Sequence, residues 1–595
     1  MKKVSLLFCL LLSTSLNSFS QQIDYTVSFE NAIHHEARIT INITGAKTNS
    51  LIFRMSRSSP GRYATHEFGK NVYDVAAGAG LTLKRIDADV YEVSVIKGAA
   101  TLSYTLYANY ADGTYAGIDE KSFQLNMPAA FMWIEGMENT PININFIVPD
   151  KSFSIATQLK PGKNANSFTA PNLQYFMDSP VKIGKLHWRE WKANDQTIRL
   201  ALEANATAAG VDSLADLVKK ITDQSAKVFS TYPKFDYGTY TFLASINPYV
   251  QGDGMEHRNS TIITTPMEFT IRPTRLTIFA HEFFHCWNVE RIRPKTLEPF
   301  NFRKSNMSNE LWYAEGFTQY YGELLMRRSG LLPDTSFALS AAGFINSKVN
   351  TPGGKMYTPI ESSNYAVFTD AGVSIDETNF SNVFTSYYVY GAAIALALDL
   401  ELRTKFNSSL DIFMQQMWKQ HGTNEIPYTV ADMEKALAVI SNAGFAKKFF
   451  EDHVYNTKTP DYQALLSSAG MQLKLSAPGK AWMGRLRMDS TKEGLKIISS
   501  TIRNTPAYIA GLDINDVIVS AENKLIRSRK ELDEILNDRK PGDKISITYK
   551  HRNDLKTTLV TLQENPELIV ATYESEGKIV TKAMLEFRNS WLRWK

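Results

Sequence analysis

The residues best suited to chemistry are two histidines that flank a glutamate, His281-Glu282-x-x-His285, directly after an apolar run at 276–280. On a helix, residues four positions apart share one face, so both imidazoles can bind the same metal ion. Glu282 points sideways from that pair, where it can take a proton from water without being a ligand. With 10 histidines and 61 acidic residues in 595, the pattern arises by chance in only about 2% of chains. The alternative is a pair of ordinary core histidines.

A third candidate ligand, Glu315, lies inside the aromatic segment 311–321. An unpaired carboxylate is costly in such surroundings, and coordination to a metal removes that cost. Catalytic zinc takes three protein ligands and leaves one position open, which His281, His285 and Glu315 satisfy. The sequence therefore predicts one Zn²⁺ per chain, with zinc inferred from the ligand types. The alternative for Glu315 is a buried ion pair.

The N-terminus has the pattern of an export signal. Lys2 and Lys3 precede an apolar run at 4–12, and Ser18 and Ser20 are small residues of the kind a signal peptidase reads. We expect residues 1–20 to be removed and the rest to be a soluble protein of the periplasm or the medium, without a stable membrane anchor. Cys286 is then the sole remaining cysteine, so no internal disulfide is expected.

Length and periodicity indicate a multidomain α+β protein. A chain of 595 residues is too long for one core, and alternating apolar residues predict a β-rich N-terminal domain over 21–195. Helical spacing follows over 196–472, the catalytic domain. Strands around one helix return over 473–565, and 566–595 form a tail. The net charge of +4 is spread evenly and gives no reason to expect nucleic acid as a partner.

The motifs together resemble the gluzincin metallopeptidases, and among them the glycyl aminopeptidase family, whose members carry a C-terminal PDZ domain. The segments that carry this resemblance are 281–289 with 291–294, the glutamate helix at 312–321, and Ser59-Pro60-Gly61-Arg62-Tyr63 near the N-terminus. The resemblance implies a thermolysin-like catalytic domain and removal of small N-terminal residues such as Gly or Ala.

Gly254-Met255-Glu256 resembles the loop with which gluzincin aminopeptidases bind the free amine of their substrate. The resemblance implies that Glu256 pairs with the substrate's N-terminal ammonium and that Gly254 and Met255 belong to the substrate site. A carboxylate suits that role, because it would place the first peptide bond at the metal. The alternative is a solvated loop glutamate.

Tyr388, in Tyr387-Tyr388-Val389-Tyr390-Gly391, resembles the tyrosine of the family's Tyr-x-Lys-Gly motif, which implies that it donates a hydrogen bond to the oxyanion. A packed aromatic at a helix start is the alternative. The predicted function is a zinc aminopeptidase. Two other functions stay open: a PDZ-assisted endopeptidase of exported proteins, and a zinc-stabilised binding scaffold, against which the intact Glu282 argues.

The segment 504–518 resembles a bacterial PDZ signature. The resemblance implies a carboxylate-binding loop formed by Met483, Gly484, Arg485 and Leu486, with 527–537 as the helical wall of a groove for C-terminal peptides. Peptide or protein substrates, and C-terminal peptides at this groove, are the expected partners. The alternative is a module that packs on the catalytic domain and binds nothing.

Overall fold

The computed structural model describes residues 21–369 and 378–593. The expected signal segment, residues 1–20, lies outside the described residues, as does Trp594 of the tail. The fold class predicted from the sequence is confirmed: a β-rich N-terminal domain, a mainly helical middle domain and a C-terminal PDZ domain follow one another.

The N-terminal domain is built from three sheets. The largest has the strand order β13-β14-β11-β1-β2-β7-β4, and two four-stranded sheets have the orders β10-β3-β6-β5 and β12-β15-β9-β8. Alternate residues are buried, as Ile39, Ile41 and Ile43 are in β2, because successive side chains point to opposite faces. The strands are β1 Gln22–Ser28, β2 Glu36–Thr44, β3 Ser50–Arg54, β4 Val72–Ala77, β5 Leu83–Asp87, β6 Val90–Ser94, β7 Ala100–Tyr107, β8 Gly117–Ile118, β9 Ser122–Leu125, β10 Trp133–Ile134, β11 Ile142–Ile147, β12 Ser154–Thr157, β13 Lys160–Pro161, β14 Ser167–Ala170 and β15 Val181–Gly184, with short helices α1 Met127–Ala130 and α2 Leu173–Met177.

The catalytic domain places helices around a five-stranded sheet of order β16-β17-β18-β20-β19. Its strands are β16 His187–Ala193, β17 Gln196–Ala204, β18 Thr239–Ile246, β19 Asp253–His257 and β20 Ser260–Thr265. The β16–β17 hairpin spans the expected boundary at residue 195, because β16 pairs with the catalytic sheet. The edge strand β19 lies beside the helix that carries His281.

The helices of this domain supply most of its core. They are α3 Ala208–Phe229, α4 Thr277–Phe284, α5 Leu311–Ala314, α6 Gly316–Arg328, α7 Asp334–Val349, α8 Pro352–Met356, α9 Pro359–Asn364, α10 Ala366–Thr369, α11 Phe380–Val383, α12 Tyr387–Phe406, α13 Leu410–Met417, α14 Val430–Ile440, α15 Ala443–His453 and α16 Tyr462–Ser467. Within the described ranges, one stretch, Phe380–Phe406, is long and apolar enough to cross a membrane. Since 78% of its apolar window is buried inside the protein and α12 packs on α6 and α7, the core position accounts for that composition.

The PDZ domain is inserted between two strands that pair with each other, β21 and β30. The remaining elements are β21 Met471–Leu475, β22 Ala481–Trp482, β23 Met488–Ser490, β24 Leu495–Ile497, α17 Pro506–Ile509, β25 Val517–Ala521, β26 Lys524–Leu525, α18 Arg529–Asn537, β27 Lys544–His551, β28 Asp554–Thr561, β29 Gln563–Glu564, β30 Leu568–Thr572 and α19 Lys582–Leu592. Asn382 of α11 joins this domain to the catalytic domain: its side chain donates to the Thr501 carbonyl (2.8 Å) and accepts from the Arg503 amide (2.7 Å).

The C-terminal tail returns to the catalytic domain. Trp591 of α19 is fully buried in the catalytic core, and its indole N–H donates to the Tyr320 hydroxyl at 2.8 Å. Arg328 donates to the Trp591 carbonyl. Residues beyond 565, whose role the sequence leaves open, therefore complete the packing around α6.

Candidate metal centre and active site

The three predicted ligands meet at the junction of α4, α5 and α6. His281 lies in the last turn of α4 and His285 directly follows that helix, which puts both rings on one side. Glu315 lies between α5 and α6, where the expected continuous helix is broken. One Glu315 oxygen, Oε2, lies 3.4 Å from His281 Nε2 and 3.3 Å from His285 Nε2. The three side chains therefore converge on a single point.

Asn288 holds the two parts of this cluster together. Its backbone oxygen lies 2.6 Å from His285 Nδ1, which leaves Nε2 of that ring to face the cluster. Its side-chain amide donates at 3.2 Å to the carbonyls of Tyr313 and Ala314, next to Glu315. A buried asparagine thus satisfies carbonyls that are exposed where the helix breaks.

Helices α6 and α12 cross with their backbones in contact. A Cβ on Gly316 would come within 2.9 Å of the Tyr387 carbonyl oxygen, and a Cβ on Gly391 would lie 2.8 Å from the Gly316 Cα. Glycine on both helices permits this approach, because any side chain would separate them. The crossing brings the start of α12, which carries Tyr388, to the Glu315 turn.

The electrostatics of the cluster suit a divalent cation. Burial lowers the pKa of His285, but the Glu315 and Glu256 carboxylates outweigh burial and raise it to about 10. Burial likewise raises the pKa of Glu315, but His285 and the hydrogen bond with His281 outweigh it and hold that pKa well below its usual range. Two imidazoles and a carboxylate that converge in this way form the donor set that catalytic zinc takes.

Glu282, the predicted base, is buried beside the ligands. Its carboxylate rests on the backbone of Gly254, where a Cβ would overlap Oε1. Burial raises its pKa well above the usual value, and the nearby Glu256 and Glu315 carboxylates act in the same direction. A carboxylate with increased proton affinity suits a group that takes a proton from water.

Glu256, on the edge strand β19, faces the same cluster. One ligand atom each of Glu256, Glu282 and His285 lies within 4.8 Å of the others. Burial raises the pKa of Glu256 to about 7. In the described part of the chain its Oε1 is buried without a hydrogen-bond partner, as is Oε2 of Glu282. The alternative given for Glu256, a solvated loop glutamate, does not fit, because the side chain is only 5% exposed.

Glu256, Glu282 and His285 also have the geometry of a candidate metal site. The set of His281, His285 and Glu315 is the better one, because both imidazole Nε2 atoms converge on one carboxylate oxygen. Glu282 lies against Gly254 instead, and Glu256 lies against Gly61.

Tyr388 lies at the start of α12 with its ring 6.0 Å from that of His281. Its neighbour Tyr387 packs on it at 4.7 Å and is fully buried. The structure therefore brings Tyr388 to the cluster. Tyr390, which stands where the family motif has lysine, accepts a hydrogen bond at 2.9 Å from the buried ammonium of Lys348 on α7.

The N-terminal domain contributes residues that the sequence did not mark as functional. Tyr63 donates from its hydroxyl to Glu315 Oε1 at 3.0 Å, and burial and the Glu315 charge raise its pKa well above the usual value. Gly61 packs on Glu256: a Cβ there would come within 2.7 Å of Oε2. Arg62 forms an ion pair with Asp253 of β19. From the sequence, the motif at 59–63 indicates the family and no role in the site.

The predicted PDZ loop borders a cleft of about 260 Å³. Met483, Gly484 and Leu486 line one side, and α18 lines the other through residues that include Leu532 and Leu536. The Arg485 guanidinium lies 3.6 Å from Glu567, outside the cleft lining. The loop and helix thus form the walls that a peptide groove requires.

A buried His-His-Glu cluster with an adjacent carboxylate base defines a metallopeptidase site. The sequence matches the family models for the Peptidase M61 N-terminal domain over residues 24–185, M61 glycyl aminopeptidase over 274–394 and the PDZ domain over 483–562. The chain thus has the two domains of the M61 glycyl aminopeptidase family followed by a PDZ domain, and it is a peptidase of the zinc aminopeptidase kind.

A solved structure has the same fold. An aminopeptidase N family protein from Idiomarina loihiensis is 23% identical, with a TM-score of 0.83 over 96% of this chain and 100% of that chain. An M1 zinc metallopeptidase from Deinococcus radiodurans is more distant, at 13% identity and a TM-score of 0.45 over 74% of this chain and 95% of that one. The comparison with curated proteins found no match.

Proposed function

We propose that the protein is an aminopeptidase with one zinc ion per chain that removes glycine or alanine from the N-termini of peptides. The observation that carries this proposal is Glu256. Its buried, unpartnered Oε1 among the described residues has the charge and the place to bind a substrate ammonium. A bound amine at Glu256 would set the first peptide bond beside Glu282 and the His-His-Glu cluster.

Each residue then has a defined task. His281, His285 and Glu315 would hold the zinc, which when bound supplies a Lewis acid that polarises the scissile carbonyl and favours deprotonation of water. Glu282 takes the proton from the attacking water and passes it to the leaving amine. Tyr388 donates a hydrogen bond to the oxyanion.

The preference for small side chains is supported by the crowding around Glu256. Gly61 leaves no room for a Cβ beside the Glu256 carboxylate, and the same Cβ would also overlap the Met255 sulfur. Gly61 and Met255 therefore fill the space on the Oε2 side of the Glu256 carboxylate. A glycine or alanine side chain fits such a site better than a branched or aromatic one.

The test is hydrolysis of glycyl and alanyl anilides by the purified protein and two variants. Glu282→Gln should keep zinc and lose at least about 10²-fold in kcat, because the base is gone. Glu256→Gln should raise KM for free-amine substrates. Glu323→Gln is the matched control, since Glu323 lies on α6 and bonds to Ser340 away from the cluster; its rates should equal those of the wild type.

N-acetylated peptides separate this function from the endopeptidase. An aminopeptidase loses activity when the amine is blocked, because Glu256 has no ammonium to bind. If the wild type cleaves acetylated peptides as fast as free ones, the aminopeptidase proposal is wrong and the endopeptidase replaces it. Zinc retention without cleavage of either peptide class would favour the scaffold.

We also propose that the protein is exported and that its PDZ cleft binds C-terminal peptides. The pattern Lys2, Lys3 and the apolar run at 4–12 supports export. N-terminal sequencing of the protein from its native cells tests it: a start at Gln21 is expected, and an intact residue 2 would contradict export with cleavage.

A further inference from the structure

Glu315 has two carboxylate oxygens with different surroundings. Oε2 faces both histidine Nε2 atoms, whereas Oε1 accepts the hydrogen bond from Tyr63. The donor comes from the N-terminal domain, 252 residues away in sequence. A carboxylate held by one oxygen cannot rotate freely, so the other keeps its direction.

We propose that Tyr63, from the N-terminal domain, is a positioning residue that orients Glu315 for metal binding. This inference rests on the proposed role of Glu315 as a ligand. The new point is that the N-terminal domain forms part of the active site and does not merely lie next to that site.

Tyr63 is fixed well enough to serve this purpose. It is 3% exposed and packs in the core of the catalytic domain, not in that of its own domain. Its ring meets that of Tyr387 edge to face at 6.3 Å, directly before Tyr388. Tyr63 therefore contacts both the Glu315 turn and the start of α12.

The loop that carries Tyr63 is anchored on both sides. The Arg62 amide donates to the Ser59 carbonyl at 3.1 Å, closing a turn, and Gly61 at its centre has φ +77°, a conformation that favours glycine. Arg62 then pairs with Asp253, which also accepts from the Gly113 amide at 3.0 Å. The turn is thereby tied to the strand that carries Glu256.

A second contact from the N-terminal domain holds the C-terminal end of β19. Asp178 lies 2.9 Å from His257 Nδ1 and accepts at 3.0 Å from the Arg258 amide. Strand β19 is thus held by the N-terminal domain before and after Glu256. The domain interface positions both the metal glutamate and the proposed amine anchor.

The experiment compares zinc affinity in Tyr63→Phe and Tyr104→Phe, measured on the full protein by competition with a chromophoric chelator. Tyr104 is the control because it is an equally buried tyrosine of the same domain, whose hydroxyl donates to the Ala130 carbonyl at 2.8 Å, away from the site. Melting of the metal-free proteins establishes that both variants fold and quantifies the cost of a lost buried hydroxyl.

We expect the zinc dissociation constant of Tyr63→Phe to rise about 10- to 100-fold, as for other residues that orient a metal ligand, and that of Tyr104→Phe to stay at the wild-type value. With zinc saturating, kcat should fall while KM changes little. Equal zinc affinity in the two variants would overturn the role of Tyr63.

Glu315→Gln separates this failure from failure of the proposed function. If Glu315→Gln weakens zinc binding and Tyr63→Phe does not, the metal site stands and the positioning role is wrong. If Glu315→Gln binds zinc as the wild type does, Glu315 is no ligand, and both the proposed site and the inference fall.

Discussion

The side-chain amide of Asn288, in the turn after α4, donates at 3.2 Å to the backbone oxygen of Ala314, the last residue of α5. Asn288 also presents its own carbonyl to His285. One residue therefore sets the orientation of a candidate ligand after α4 and fixes the turn before Glu315. This arrangement makes the geometry of the site depend on a residue that is not itself a ligand.

Asn288→Ala should weaken zinc binding more than it weakens the fold. The variant removes the Asn288 donor from the Tyr313 carbonyl, whereas the Ala314 carbonyl keeps its hydrogen bond from Thr318 Oγ1. The loss costs about 1–3 kcal/mol of unfolding free energy and frees the Glu315 turn. We expect a zinc affinity lower by about 10-fold or more. Chelator competition and urea unfolding give the two values; a stability loss with unchanged zinc affinity would show that Asn288 serves the fold alone.

Removal of the metal should destabilise the protein. Glu256, Glu282 and Glu315 are buried side by side, and a cation offsets their mutual repulsion. Calorimetry with a chelator should show a lower Tm, and added zinc should restore it. At a free zinc concentration 100 times the Kd, binding should add about 2.7 kcal/mol to the free energy of unfolding. Native mass spectrometry should count one zinc per chain. His281→Ala is the control and should not respond to zinc; a Tm that ignores the chelator would argue against a metal at this cluster.

Acid should destabilise the N-terminal domain through His66. Burial, with the nearby Arg62 and Lys70 charges, lowers the pKa of His66 to about 4, and its ring is 2% exposed against Phe68. In the unfolded chain the His66 imidazole takes up a proton near pH 6.5, whereas in the folded chain it does so only near pH 4. The stability that depends on neutral His66 is therefore fully present above pH 6.5 and is lost as the pH falls toward 4. The total is roughly 3 kcal/mol.

The variant His66→Phe isolates the part of the pH-dependent stability that comes from His66. Urea unfolding at pH 7, 5.5 and 4.5 should give a smaller loss of stability with acid in the variant than in the wild type. Carboxylates that also titrate in this range affect both proteins equally, so the difference between them reports His66. Parallel curves would mean that His66 titrates alike in the folded and unfolded chain.

The C-terminal helix should be needed for the stability of the catalytic domain. Trp591→Ala removes a fully buried indole and its hydrogen bond to Tyr320, which we expect to cost about 3–5 kcal/mol of unfolding free energy. Leu585 is 41% exposed on the same helix, so Leu585→Ala is a matched control with an expected effect within about 0.5 kcal/mol. Similar melting temperatures for both variants would show that α19 docks weakly.

Short-range patterns in the sequence predicted a large part of this protein. The i, i+4 spacing of His281 and His285 brings both rings to one side at the end of α4, since helical geometry puts residues four apart on one face. Alternation of apolar residues predicted the β domains, and helical spacing predicted α3 and α18, although α3 begins at Ala208 behind Thr207 and not at the expected cap, Asp212 or Ser213. The families shown by the comparisons are those that the motifs indicated.

Tertiary structure alone decided how the site is completed. The break between α5 and α6 at Glu315, the glycine crossing of α6 with α12, and the burial of Trp591 all depend on packing between distant segments. Tyr63 and Glu315 are 252 residues apart, and no local period constrains a contact of that separation. The periodicity of a sequence predicts which residues share one face of a helix or strand. It does not predict which side chains meet across a domain interface, because those contacts form only when the domains pack.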